Sequence, residues 1–189
     1  MYWHTSGTDM TQDTLQLAAA ALRDRELNSA VIASNTGETV LRFLALDPEP
    51  QWDIICITHQ VGYIAPGQIE MSVDMRQKLV DCGVKVLTTS HLFSGVARGV
   101  RNAFGGLYPG EIMAQTLKML SPGVKVAVEI AISALDAGLI EFGREVIAVA
   151  GTRRGADTAC VVRPSHSNAV FDTRVLEVVC RPRYGDPAQ

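Results

Sequence analysis

Short apolar runs alternate with amphipathic stretches along nearly the whole chain. Leu15, Ala18 and Leu22 recur at helical spacing, and Thr11 or Thr14 can cap the helix they predict, which runs to about Leu27. An apolar strand at about 30–34 follows. A helix over about 37–46 comes next, with Val40, Leu41 and Leu44 inward; Pro48 and Pro50 prevent its continuation. A second strand is predicted at about 53–58 and a glycine-punctuated loop at 59–67. A helix over about 70–82 carries Met71, Met75 and Leu79 at intervals of four, with Gly83 closing it. The third strand is 84–88. Ser94 can cap a short helix through Arg101, which Gly105-Gly106 breaks. Pro109 and Glu111 open a helix through Leu120, Ser121-Pro122-Gly123 reads as a turn, and a helix over about 124–137 has Val128, Ala131 and Leu135 on one face and stops at Gly138. Three strands close the pattern, at 146–151, about 159–163 and about 175–180.

Apolar strands alternating with helices predict an α/β architecture with a mainly parallel sheet. The gap between the fourth and fifth strands is too short for a helical crossover, so the fifth is expected to run antiparallel. The chain reads as one domain of 189 residues, with a short N-terminal arm over 1–10 and a frayed end over 184–189. Hydrophobic residues make up 47% and charged residues 20%, enough for a sizeable core. The net charge of -3 gives no basic footprint for nucleic acid. Cys56, Cys82, Cys160 and Cys180 form no CxxC pairs and read as small hydrophobes in a reducing compartment. Neither a signal peptide nor a membrane-length apolar run is visible, so a soluble cytoplasmic protein without membrane contact is expected.

The chemistry concentrates where the first strand turns into its helix. Ser34, Asn35, Thr36, Gly37, Glu38 and Thr39 combine hydroxyls and a glycine with the free backbone N–H groups of a helix start, a combination suited to phosphate. The same residues also read as a capping box, with Asn35 capping and Glu38 answering three residues later. The loop over 151–158 is the expected partner: Thr152, Arg153, Arg154 and Gly155 offer guanidinium forks and a flexible backbone, and Asp157 can accept from a ligand or pair with an arginine. His59 and His91 follow the second and third strands, so both are expected on the ligand edge. There they can contact a ring or act as acid and base. Glu129 is read as an ion-pair partner of Lys125 and Asp136 as structural; the segment 104–108 can be a lid, core or an interface, and His166 belongs at the far edge. No spacing suggests a metal site, and GxGxxG, GxxxxGK[ST] and GxSxG patterns are missing.

Seven signposts in this order resemble one family. They are Ala33-Ser34-Asn35-Thr36-Gly37-Glu38-Thr39, Thr58-His59-Gln60-Val61-Gly62, Ser90-His91-Leu92-Phe93-Ser94-Gly95-Val96, Phe104-Gly105-Gly106-Leu107-Tyr108-Pro109, Val128-Glu129-Ile130-Ala131, Ala134-Leu135-Asp136-Ala137-Gly138-Leu139-Ile140, and Gly151-Thr152-Arg153-Arg154-Gly155-Ala156-Asp157-Thr158. The chain resembles the pyruvate kinase C-terminal-domain-like family, in particular its small stand-alone archaeal and bacterial members. The resemblance implies a three-layer α/β/α fold with predicted strands in the order 3-2-1-4-5, strand five antiparallel. It also implies an anion pocket between the loops after strands one and four. Full-length pyruvate kinases use the equivalent pocket for a sugar bisphosphate effector. In stand-alone relatives it is similar to a flavin mononucleotide site. Glu38 is more acidic than the bisphosphate binders at this place, which argues for a monophosphate. No catalytic barrel accompanies the domain, so phosphotransfer from phosphoenolpyruvate is not expected.

Three functions follow as expectations. The first is a module that binds a phosphorylated small molecule, flavin mononucleotide being the implied cofactor. The second is a flavin-dependent or phospho-metabolite enzyme using His59 and His91. The third is a homo-oligomeric interaction protein with a vestigial pocket, joined through the apolar strand near the C-terminus.

Overall fold

In the central strands, successive side chains bury against opposite helical layers. Ala30, Ile32, Ile54, Cys56, Ile147 and Val149 face one core; Val31, Ile55, Ile57, Val146, Ala148 and Ala150 face the other. This two-sided burial explains why the strands read as continuous apolar runs. The computed structural model describes residues 1–183; the expected frayed end at 184–189 lies outside the described residues. The elements are β1 (Tyr2–Trp3), α1 (Thr11–Asp24), β2 (Ser29–Ala33), α2 (Glu38–Leu44), β3 (Asp53–Thr58), α3 (Val73–Asp81), β4 (Lys85–Thr88), α4 (Gly95–Phe104), α5 (Pro109–Lys118), α6 (Pro122–Asp136), β5 (Val146–Ala150), β6 (Thr158–Arg163) and β7 (Arg174–Pro182). Short 3-10 turns occupy Thr8–Met10 and Ser167–Asp172.

The sheet order is β1-β7-β6-β5-β2-β3-β4. Its β4-β3-β2-β5-β6 portion is the expected arrangement of the first five predicted strands, with β6 antiparallel to β5. The sheet then continues through β7, antiparallel to β6, and β1, parallel to β7. The N-terminal arm is therefore partly strand: Arg181 and Arg183 donate their N–H groups to the carbonyls of Met1 and Trp3 at 3.2 and 2.8 Å. That pairing covers only the end of β7.

Helices α1, α2 and α3 supply Leu15, Leu22, Val40, Phe43 and Leu79 to one core, and α6 supplies Val124, Ala127, Ala131 and Leu135 to the other. Several helix ends differ from expectation for local reasons. Neither Thr11 nor Thr14 caps α1: the 3-10 turn leads in through Met10, and the helix stops at Asp24 rather than Leu27. Gly37 is the cap of α2, at φ 90°, and the helix ends at Leu44 with Phe43 more deeply buried than Leu41 or Leu44. Ser72 accepts the Met75 N–H and starts α3 at Val73, leaving buried Met71 just outside. Gly83 does close α3, at φ 80°, with the Val84 N–H reaching back to the Leu79 carbonyl. Helix α4 runs on to Phe104, past the expected Arg101. The Ser121-Pro122-Gly123 turn is really the start of α6, since Ser121 accepts from Val124 and proline fits the first helical position.

Order of strands decides where a ligand can sit. The chain leaves β2 toward β3 on one side and β5 toward β6 on the other, so a crevice opens beyond the carboxyl ends of β2 and β5.

Candidate functional site in the cleft beyond β2 and β5

The loop after β2 is held by its neighbours rather than by a capping box. Ser34 donates its N–H to the Ile57 carbonyl at 3.0 Å, and its hydroxyl accepts the Thr39 N–H at 3.2 Å. Asn35 turns away from α2: its Oδ1 accepts the His59 N–H at 3.2 Å and its Nδ2 lies 3.3 Å from His59 Nε2. Glu38 pairs with Arg42 at 3.1 Å instead of reaching back to Asn35. This pairing offsets the acidic charge that argues against a second phosphate. Among the described residues, the N–H groups of Thr36 and Gly37 donate to no backbone carbonyl. Helix α2 is only seven residues long, so its dipole is a minor part of the local field.

The loop after β5 is organised by Asp157. This carboxylate is fully buried; Oδ2 accepts the Gly7 and Thr152 N–H groups at 2.9 and 3.1 Å, and Oδ1 accepts the Thr158 hydroxyl at 2.8 Å. The expectation that Asp157 meets a ligand is thus corrected. Its oxygens are engaged behind the loop, and it does not line the cleft. Gly155 sits at φ 73°, and a Cβ there would run into the Thr11 hydroxyl and approach Thr8 Cα to 2.9 Å, so the loop rests directly on the turn before α1. Thr152 Oγ1 is buried and has no hydrogen-bond partner.

Both loops open on one cleft of about 970 Å³. Ser34, Asn35, Thr36, Glu38 and Thr39 form part of its wall, as do Thr152, Arg153, Arg154 and Gly155. Gly37 does not. A Cβ there would meet Met75 Cγ at 2.5 Å, so the glycine serves the turn and the seating of α3. His59 and His91 both reach the cleft and form a ring platform with Tyr63; centroid separations are 3.9 Å for His59–Tyr63, 5.0 Å for His59–His91 and 5.3 Å for Tyr63–His91.

Each histidine has its own carboxylate. His59 Nδ1 lies 2.7 Å from Glu70. The Asn35 amide is oriented by the His59 N–H, so Nδ2 donates to Nε2 and leaves Nδ1 as the donor to Glu70, the neutral tautomer. Burial pulls the ring below its ordinary value of 6.5 and outweighs the upward pull of Glu70. Both nitrogens being engaged, His59 is placed to position Glu70 and to offer its ring. His91 Nδ1 stands 3.7 Å from Glu129. Glu129 also accepts the Phe93 N–H at 2.9 Å and forms an ion pair with Lys125, both side chains being nearly inaccessible. Burial alone pushes the Glu129 carboxyl up, but His91, Lys125 and Phe93 together hold it below its ordinary 4.5.

The expected Lys125–Glu129 ion pair forms, and it stands in the cleft wall. The one legible signal was that these are the only charged side chains in the apolar body of α6 before Asp136. Tyr63, Glu70, Arg98, Lys118, Thr8 and Thr11 also line the cleft and had no sequence signal of their own. Among the described residues, Arg98, Lys118, Arg153 and Arg154 have no carboxylate within ion-pair distance. His166 binds Asp136 at 3.0 Å, away from the cleft, as expected. Phe104 and Leu107 are exposed and also lie off the cleft wall. Among the described residues, no cluster of His, Cys, Asp or Glu is arranged to hold a metal ion, and no helix is long and apolar enough to cross a membrane.

Comparison with known proteins matches residues 12–162 to the family described as pyruvate kinase, alpha/beta domain. Among solved structures, a pyruvate kinase from Cryptosporidium parvum is similar over 82% of this chain and 22% of its own, at 17% identity and TM-score 0.44. The Cryptosporidium parvum pyruvate kinase in complex with ADP gives 82% and 23%, at 17% identity and TM-score 0.41. An NAD+ synthetase from Burkholderia pseudomallei covers 76% of this chain and 54% of its own at 20% identity and TM-score 0.32. The chain thus spans under a quarter of the length of these two pyruvate kinase chains.

Proposed function

The chain belongs to the pyruvate kinase α/β-domain family, and on that premise we propose that its cleft binds a phosphorylated small molecule, with flavin mononucleotide the ligand that best fits. One observation carries this. Thr152, Arg153 and Arg154 line one side of a cleft whose other loop has an undonated N–H at Thr36. A phosphate would accept from these donors, and the unpaired cations Arg98 and Lys118 add to a positive field focused in the cleft. The volume of about 970 Å³ is at the upper end for a small-molecule site. The mutually tilted rings of Tyr63, His59 and His91 offer edge and face contacts to a heteroaromatic ring. When bound, flavin would supply redox chemistry; this chain's residues hold its phosphate and flank its ring.

The test is titration of the purified protein with flavin mononucleotide, followed by flavin fluorescence, in the native chain and in Arg153→Ala/Arg154→Ala. Saturable binding that the double variant weakens at least tenfold supports the proposal. Unchanged fluorescence across the titration, with no heat of binding, refutes it. A second reading, acid–base catalysis on a phosphorylated metabolite, draws on Glu129 lying buried between His91 and Lys125. Turnover lost in His91→Asn with flavin affinity intact is its expected mark; equal loss of both refutes it.

A further inference from the structure

The residues before 12 lie outside the segment matched to the family, yet they are tied into the anion loop. The Gly7 N–H and the Thr152 N–H share one oxygen of Asp157. The Trp3 indole donates to the Asp157 carbonyl at 2.8 Å. The Ala156 N–H donates to the Thr11 hydroxyl at 3.0 Å, and Gly155 has no space for a side chain because Thr8 and Thr11 press against it. Thr8 and Thr11 themselves face the cleft. The loop that presents Thr152, Arg153 and Arg154 thus has the N-terminal segment as its floor, with Asp157 bonded to both.

We propose that residues 1–11 form a wall of the anion site, so that docking of this segment and binding of a phosphate ester strengthen each other through Asp157. The inference rests on the proposed ligand reading, because its ligand is the phosphate ester placed there. Physically, Asp157 holds the Thr152 N–H and with it the start of the turn that carries Arg153 and Arg154. Gly7 bonds to the Asp157 carboxylate and Trp3 to its backbone carbonyl, so the N-terminal segment supplies two of the bonds that fix it. A ligand that bonds to the 152–155 loop selects this arrangement and therefore the docked segment. Linkage requires the effect to be reciprocal.

The experiment follows the Trp3 indole and Gly7 amide by hydrogen exchange, with and without saturating flavin mononucleotide, and with inorganic phosphate as a second probe. Coupling slows exchange at both positions on saturation. Thr11→Val, nearly isosteric but unable to accept from Ala156, weakens flavin affinity about fivefold, as expected for one lost hydrogen bond. Thr11→Ser restores the affinity, which a purely steric role for Thr11 would not predict. Trp3→Phe weakens binding similarly while leaving the fold intact by circular dichroism. If flavin binds with native affinity in Thr11→Val and Trp3→Phe, and exchange at Gly7 does not change, the wall is not part of the site while the ligand proposal stands. If neither probe binds the native protein, the ligand proposal and this inference both fall, whatever the exchange at Gly7 shows.

Discussion

Replacing Lys125 with methionine tests the buried charge pair in the cleft wall. The Lys125 and Glu129 side chains are 8% and 4% exposed, so the substitution strands a carboxylate with little water around it. Removing one partner of a buried pair typically costs about 3–5 kcal/mol. Here Glu129 keeps the Phe93 N–H at 2.9 Å and His91 at 3.7 Å, which argues for the lower end, about 3 kcal/mol. For a chain of this size that is a fall in Tm of roughly 6–12 °C. Urea denaturation at neutral pH, read by circular dichroism, measures it directly. The pair Lys125→Met/Glu129→Leu recovers most of the loss, to within about 1.5 kcal/mol, because the buried charge is gone and only the Phe93 N–H and the partly exposed His91 lose a partner. A loss below about 1 kcal/mol in the single variant refutes the buried-pair geometry.

Other outcomes follow from the same site and core. Burial holds His59 below 6.5, so on acidification the unfolded chain takes up its proton first; the stability this residue contributes is fully present above pH 6.5 and is lost as pH falls through the folded value. His59→Asn flattens the stability profile between pH 7 and 5, and an unaltered slope contradicts this. Burial pushes the Cys56 and Cys160 thiols up to about 12 and raises Cys180, whereas Cys82 is exposed at the end of α3. A thiol reagent is expected to modify Cys82 rapidly in the native protein and the other three only on unfolding; two fast-reacting thiols would contradict this burial.

The core was legible in the sequence because the central strands are apolar on both faces, as strands in a sheet covered on both sides must be. Val31 and Ile32, facing opposite cores, show it in two residues. The β1 end of the sheet was less legible. Nothing local marks Tyr2 and Trp3 as strand; their pairing exists only because β7 offers its far end. Helix starts failed where a better competing bond was available. Asn35 had the composition of a cap, but a bond to His59 after the neighbouring strand took it instead. The site divides along the same line. The loop residues that line the cleft, Ser34, Asn35, Thr36, Glu38 and Thr39 with Thr152–Gly155, were readable because they are contiguous in the two turns. Asp157 sat in the same motif yet is structural, since its bonding partners come from the other end of the chain. Lys125, Glu129 and Glu70 enter the cleft only through tertiary packing, which no local pattern encodes.

Two loops sharing one anion is the claim on which the rest depends. Amide NMR of the labelled protein during addition of flavin mononucleotide, with inorganic phosphate in parallel, tests it most directly. Both ligands are expected to shift Thr36 and Gly37 together with Thr152–Gly155 on a single binding curve, and flavin alone to move the rings of Tyr63 and His91. Shifts confined to one loop, two independent curves, or shifts only outside the cleft would contradict it.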